Sequence, residues 1–245
     1  MKPLYEIEKY KGIKFGLLPR ENFDKKTGIT QGYLGDCYLI SSIISMTNIP
    51  KIFNYIFQNS LNLNEYSEYV NMFVYENELR KQISFKNTYA SCNGELIFAQ
   101  PKYDEMYGIA LEKGYAVLKC KNNKSNKIEE GYKIIDGGGF PYQAFETILG
   151  AKCEKYFSND YVYDKKNLKI HNYKYIDENN LKKKIKKYID LKGIIVFGVF
   201  YDLNRAHAYS LVDYKTDKEG NMFIQIVNPH RRGKYAGENI YRFYK

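Results

Sequence analysis

The chain has 245 residues, 44% of them hydrophobic, enough for a packed core and too apolar for wholesale disorder. Its formal net charge of +10 raises the question of nucleic acid or an anionic membrane as partner. The lysines are spread among Tyr, Asn and Ile, only Lys182–Lys187 is dense and no stretch approaches a membrane span, so neither partner is expected.

Residues 1–30 read as an irregular lead-in broken by Pro3, Gly12, Gly16, Pro19 and Gly28. It carries charges throughout and lacks the continuous apolar run of a signal peptide, so a cytoplasmic protein is expected. From Cys37, CYLISSIISM is apolar at helical spacing and stops before Pro50. YVNMFVYE and GELIFAQ read as strands, with turn chemistry at Asn93-Gly94. YDEMYGIALEKGYAVLK is a second helix, followed by an Asn/Lys/Ser loop (CKNNKSNKIEEG), Gly137-Gly138-Gly139 and a short helix at FPYQAFETILG. Beyond residues 150–160 come a lysine-rich helix, ENNLKKKIKKYID, and strands GIIVFGVFYD, HAYSLVDYKT and MFIQIVNP. The pattern predicts an α+β protein without internal repeats, helical in residues 1–150 and β-rich in residues 151–245.

Four cysteines, Cys37, Cys92, Cys120 and Cys153, are scattered with no CxxC pair and no zinc spacing, which suits free thiols in a reducing compartment. No cofactor or metal is expected from that pattern. Cys37 stands apart, because Gly35-Asp36 turns the chain into a helix that begins at the thiol. Backbone N–H groups point outward at a helix N-terminus, so a thiolate is expected to be favoured there.

A nucleophilic cysteine needs a base, and the base needs an orienting group. Of three histidines, His171 lies in the polar stretch KIHNYKY and reads as a solvated side chain. His207 opens the strand AHAYSLVDY after the polar turn Asp202–Arg205 and can face a cleft. Asn228 ends an apolar strand before Pro229, where its amide can accept an imidazole N–H. Taken singly, His207 reads as structural and Asn228 as a turn residue. The order Cys, His, Asn makes them one mechanism. Gln31, on the turn before the helix, can join the Cys37 N–H as an oxyanion donor.

These stretches resemble the calpain-type, papain-fold cysteine proteases. QGYLGDCYLISS is similar to the family's Gln-Gly-x-Leu-Gly-Asp-Cys-Trp block, AHAYSLVDY to its Gly-His-Ala-Tyr-Ser block, and IVNP to its Arg-Asn-Pro-Trp block. GELIFAQPKYDEMYGIALEKGYAVL and YKIIDGGGFPYQAFETILG resemble the segments between. The resemblance runs from about residue 28 to residue 240. It implies a two-lobed protease with the site in the cleft between lobes. Cys37 is then the nucleophile, His207 the base, Asn228 the orienter and Gln31 the oxyanion donor.

The departures are as informative. The chain has no tryptophan, so Tyr38 follows the nucleophile and His230 follows Asn-Pro. His230 is expected to turn outward with Arg231 and Arg232 rather than cover the His–Asn bond. Calpains align their lobes with calcium, and the acids expected for it fall on Gly28, Gln143, Lys234 and Tyr241. Calcium prefers several carboxylate oxygens. The expectation is therefore a calcium-independent endopeptidase acting on protein or peptide substrates. A catalytically silent binding module on the same fold and a transglutaminase-like acyl transferase are the rivals. Asn228 argues against the latter, which usually has aspartate in third place.

Overall fold

The computed structural model describes residues 1–19, 28–157, 172–202, 205–230 and 237–242. Among them are six α-helices: α1 (Cys37–Met46), α2 (Lys51–Ile56), α3 (Tyr107–Asn122), α4 (Ile128–Asp136), α5 (Pro141–Leu149) and α6 (Glu178–Asp190). Five helices precede residue 150, and the largest sheet follows it. That sheet is antiparallel, with strands β9 (Ile195–Asp202), β10 (Arg205–Thr216), β11 (Met222–Asn228) and β12 (Gly237–Arg242) in the order β12-β11-β10-β9. Small two-stranded sheets join β1 (Ile29–Thr30) to β6 (Gln100–Pro101), β2 (Tyr69–Glu76) to β3 (Leu79–Lys86), β4 (Ser91–Cys92) to β5 (Glu95–Leu96), and β7 (Tyr156–Phe157) to β8 (Lys174–Tyr175). The α+β assignment is thereby met.

Helix α1 is the axis of the molecule. Every residue from Tyr38 to Met46 is buried, and each isoleucine or leucine there contributes about 1.5–3 kcal/mol by leaving water. Its serines survive burial because each hydroxyl finds a carbonyl. Ser42 Oγ donates to Tyr38 O at 2.7 Å, within the helix. Ser45 Oγ donates to Ile195 O at 2.8 Å and Ser41 Oγ to Ala208 O at 2.8 Å, both on the sheet. Ser210 Oγ returns a bond to Ser41 O at 2.6 Å. The helix that begins at Cys37 is thus laced to the strand that carries His207.

The two faces of β10 serve different clusters. Ala208 and Val212 join the main core with α1, whereas Tyr209 and Leu211 pack with Ile185 of α6 and with Met222, Ile224 and Ile226. The split among these four β10 residues follows the alternation of side chains along a strand, even-numbered residues to one cluster and odd-numbered to the other.

Three segments differ from their sequence reading. The lead-in is no loose prelude: Leu4, Ile7, Tyr10, Phe15 and Leu17 are all buried in the main core. Helix α4 starts inside the stretch read as a loop, because Tyr132 and Ile135 bury against the core while the polar residues around them stay outside. Strand β3 pairs with β2 along its length through a short turn in which Asn77 and Glu78 both take positive φ, a device that composition did not announce.

Candidate active site

The loop ahead of Cys37 is built by close approach. A Cβ on Gly32 would strike the Phe98 carbonyl, and one on Gly35 would strike the Asp136 carbonyl, so both glycines admit backbone where no side chain fits. Gly35 N–H also donates to Asp136 Oδ1 at 2.7 Å. Gln31 N–H donates to Pro229 O at 2.8 Å, which ties this loop to the residue after Asn228. The Gln31 side chain is 2% exposed; its Nε2 donates to Leu34 O at 2.5 Å, which uses one of its two amide hydrogens.

His207 pairs across the sheet with Val199, and its ring packs edge-on against Tyr209 with centroids 4.7 Å apart. Its Nε2 lies 2.8 Å from Asn228 Oδ1. That oxygen also accepts the His230 backbone N–H at 3.0 Å. An amide oxygen that takes a main-chain N–H cannot be exchanged for the amide nitrogen, so Nε2 is the protonated ring nitrogen and donates. Nδ1 is left as the basic atom. Burial lowers the His207 pKa below the usual imidazole value, and the bond to Asn228 only partly opposes this.

Cys37 is half-buried at the first position of α1. The expected thiolate is not favoured in this state. Burial pushes the thiol above its ordinary pKa and the Asp36 charge adds to this, against main-chain N–H groups of Ala208, Tyr38 and Cys37 that pull it down. The helix-terminal donors act as anticipated, but desolvation outweighs them. Ala208 is the residue after His207, so the thiol sits against the strand of the imidazole. No hydrogen bond joins Cys37 to His207 among the described residues.

The structure also overturns the expected orientation of His230. Its ring does not turn outward: it stacks on that of His207, with centroids 4.4 Å apart and planes inclined by 7°. An imidazole is flat and partly apolar, so it serves where the family's indole would. His171, Arg231, Arg232 and Lys234 lie outside the described residues, as does the side chain of Tyr241. Of the remaining departures, Gln143 is occupied, its Oε1 accepting the Phe140 N–H at 2.9 Å. Gly28 is buried where a Cβ would collide with the Glu105 carboxylate and the Tyr107 hydroxyl. Among the described residues no cluster of His, Cys, Asp and Glu has the arrangement of a metal site.

The family model described as calpain family cysteine protease matches residues 17–240. The chain belongs to the calpain family of cysteine proteases. It is accordingly a thiol-dependent hydrolase of peptide bonds, acting on protein or peptide substrates. No curated protein matches the chain. Among the described residues no helix is long and apolar enough to cross a membrane.

Reading the calpain blocks from sequence passed over two acids close to the site. Asp36, directly before Cys37, is 0% exposed, and Glu112 of α3 is 2% exposed. The available signal was the charged pair Glu112-Lys113 inside a mostly apolar helical run, GIALEKGYAVL.

Proposed function

We propose that this protein is a calcium-independent, calpain-like endopeptidase that works through Cys37, His207 and Asn228, with Gln31 assisting. The part before residue 150 would form one lobe and the part after it the other, with the site in the cleft between them. The observation that carries the reading is the His207–Asn228 bond of 2.8 Å beside a helix that starts at Cys37. In the reaction, Cys37 passes its proton to His207 Nδ1 and its sulfur attacks the peptide carbonyl. The oxyanion rests on the Cys37 N–H and the second amide hydrogen of Gln31. The imidazolium then protonates the leaving amine, and water, deprotonated by the same ring, hydrolyses the thioester.

Calcium independence follows from the donor set. Gly28 has no room for an acid and the Gln143 oxygen is already taken by Phe140, so calcium gains little from either position. A ligand without differential affinity shifts no equilibrium. Substrate, a partner or removal of the N-terminal lead-in would then bring Cys37 and His207 into contact.

A silent binding module draws support from the absence of a Cys37–His207 hydrogen bond among the described residues and from the raised thiol. Labelling with a peptidyl epoxide or fluoromethylketone separates the two readings. An endopeptidase labels at Cys37 and stops doing so in His207→Ala; a binding module leaves Cys37 unmodified.

A further inference from the structure

Asp36 occupies the N-cap position of α1, yet its side chain caps nothing: the helix start carries no side-chain cap bond. No N–H or O–H of another residue reaches either of its carboxyl oxygens, among the described residues, although both are buried. What the carboxyl does meet is the carboxyl of Glu112. Glu112 is itself anchored, accepting the Ala99 N–H at 2.9 Å on one oxygen and 3.1 Å on the other. A contact between two carboxyl groups joins two acceptors. It becomes a hydrogen bond only when one of them carries a proton.

We infer that Asp36 and Glu112 share a single proton in the folded protein, and that this bond, in place of a helix cap, fixes the turn that presents Cys37. The neighbours leave no other source of compensation. On α1 the groups near the pair are Cys37 and Tyr38; on α4 they are Tyr132 and Asp136, the latter already bound to Gly35 N–H, while Lys133 pairs with Glu130 and the buried Lys113 of α3 gives its ammonium to the Lys86 and Thr88 carbonyls. Tyr89 lies near Tyr132 and gives its hydroxyl hydrogen to Asn87. Neither lysine acts on the two carboxyls. Two carboxylates in such a site cannot both ionise, so one keeps its proton well above the ordinary carboxylate range. The direction agrees for both groups, and burial is its largest cause.

The pair acts on Cys37 in two ways. It pins the main chain of Asp36, whose carbonyl accepts the Leu39 N–H at 2.8 Å and the Ile40 N–H at 3.1 Å, the first bonds of α1. It also holds the pair to one negative charge instead of two, and the charge on Asp36 raises the neighbouring thiol. Asp36 and Glu112 are therefore positioning residues for the nucleophile, a role that rests on Cys37 being the reactive thiol.

The proton itself is the first thing to measure, and it does not depend on protease activity. Infrared spectra of the folded wild type at about pH 6 should contain the carbonyl stretch of a protonated carboxyl, although free Asp and Glu are ionised there. Glu112→Gln should lose that band while keeping the contact, because its amide donates to Asp36 and still accepts from Ala99. The unfolded chain releases its carboxyl protons near pH 4, so the folded state binds more protons above that pH and stability falls as pH rises. Wild type should lose about 3 °C or more of melting temperature between about pH 5 and pH 8, with a flat profile in Glu112→Gln. A folded wild type without the band, or a Glu112→Gln profile as steep as wild type, overturns the shared proton. Alkylation of Cys37 by iodoacetamide, followed by mass spectrometry, tests the link to the nucleophile. Glu112→Ala should alter its pH dependence and Glu112→Gln should restore it. Identical alkylation profiles in all three, with the band present in wild type, would remove the positioning role and leave the proton.

Discussion

His230 lies flat against His207, their ring centroids 4.4 Å apart and their planes 7° from parallel, while one oxygen of Asn228 holds both residues. The stack shields the His207–Asn228 bond from water. It also couples two titrations: His207 is half-buried and His230 exposed, and partial desolvation together with a charge on His207 lowers the affinity of His230 for a proton.

His230→Phe keeps the flat cover and removes the second charge. Turnover should stay within about tenfold of wild type, the scale of one aromatic contact. The acid limb of kcat/KM should move to higher pH, because His207 no longer has a like-charged neighbour. A pH–rate profile is the measurement. A loss as complete as that of His207→Ala would unseat His207 as the base.

Cys37→Ala and His207→Ala should each abolish peptide hydrolysis without a large change in melting temperature. Both act in one proton transfer, so their losses should not add. The double variant, assayed on a casein or fluorogenic peptide substrate, should be no slower than either single one. A double variant far slower than both would mean that the two residues act in separate steps.

Asn228→Ala should slow turnover by about a hundredfold, less than loss of Cys37, because an orienting group sets the tautomer without making or breaking a bond to substrate. The same change frees the His230 N–H, so the histidine stack should loosen as well. Unchanged kcat/KM would send the orienting role elsewhere.

Activity should persist in excess EGTA. Added calcium should change kcat/KM by less than about twofold if it has no differential affinity for the competent state. Strict dependence on calcium, with the ion bound near residues 23–28 or 234–241, would refute the reading.

The site was legible where chemistry constrains neighbours in sequence. Gln31, Gly32, Gly35 and Cys37 stand in one block because two close backbone approaches and one helix start must coincide there. His207, the third residue of β10, and Asn228, the last of β11, drew notice as candidates because the apolar pattern of their strands is plain. What escaped depends on partners far along the chain. Nothing local says that Asp36 will face Glu112, that Leu4 and Ile7 will be core residues, or that burial will outweigh helix-end donors at Cys37. Ile128, Tyr132 and Ile135 stand at helical spacing in α4, a signal masked by the Asn/Lys-rich flank before it.

Ser41→Ala removes the donor to Ala208 O while leaving the carbonyl buried, and should cost about 1–3 kcal/mol. Urea denaturation should show a lower midpoint with an unchanged slope. A neutral outcome would mean that the sheet carbonyl finds another donor without effort.

The bonds from Ser41 to Ala208 and from Ser210 to Ser41 join residues 167 and 169 positions apart, and the bond from Ser45 to Ile195 joins residues 150 apart. During synthesis α1 is made early, but its serine hydroxyls and much of its apolar surface have no partner until the sheet emerges. Contacts this distant in sequence close slowly and leave sticky surface open meanwhile. A ribosome that has reached only the midpoint of the message therefore carries Cys37 without His207 and without the strand that supports its helix. On the proposed mechanism, proteolytic competence arrives only with the last strands, because His207 and Asn228 both lie on them.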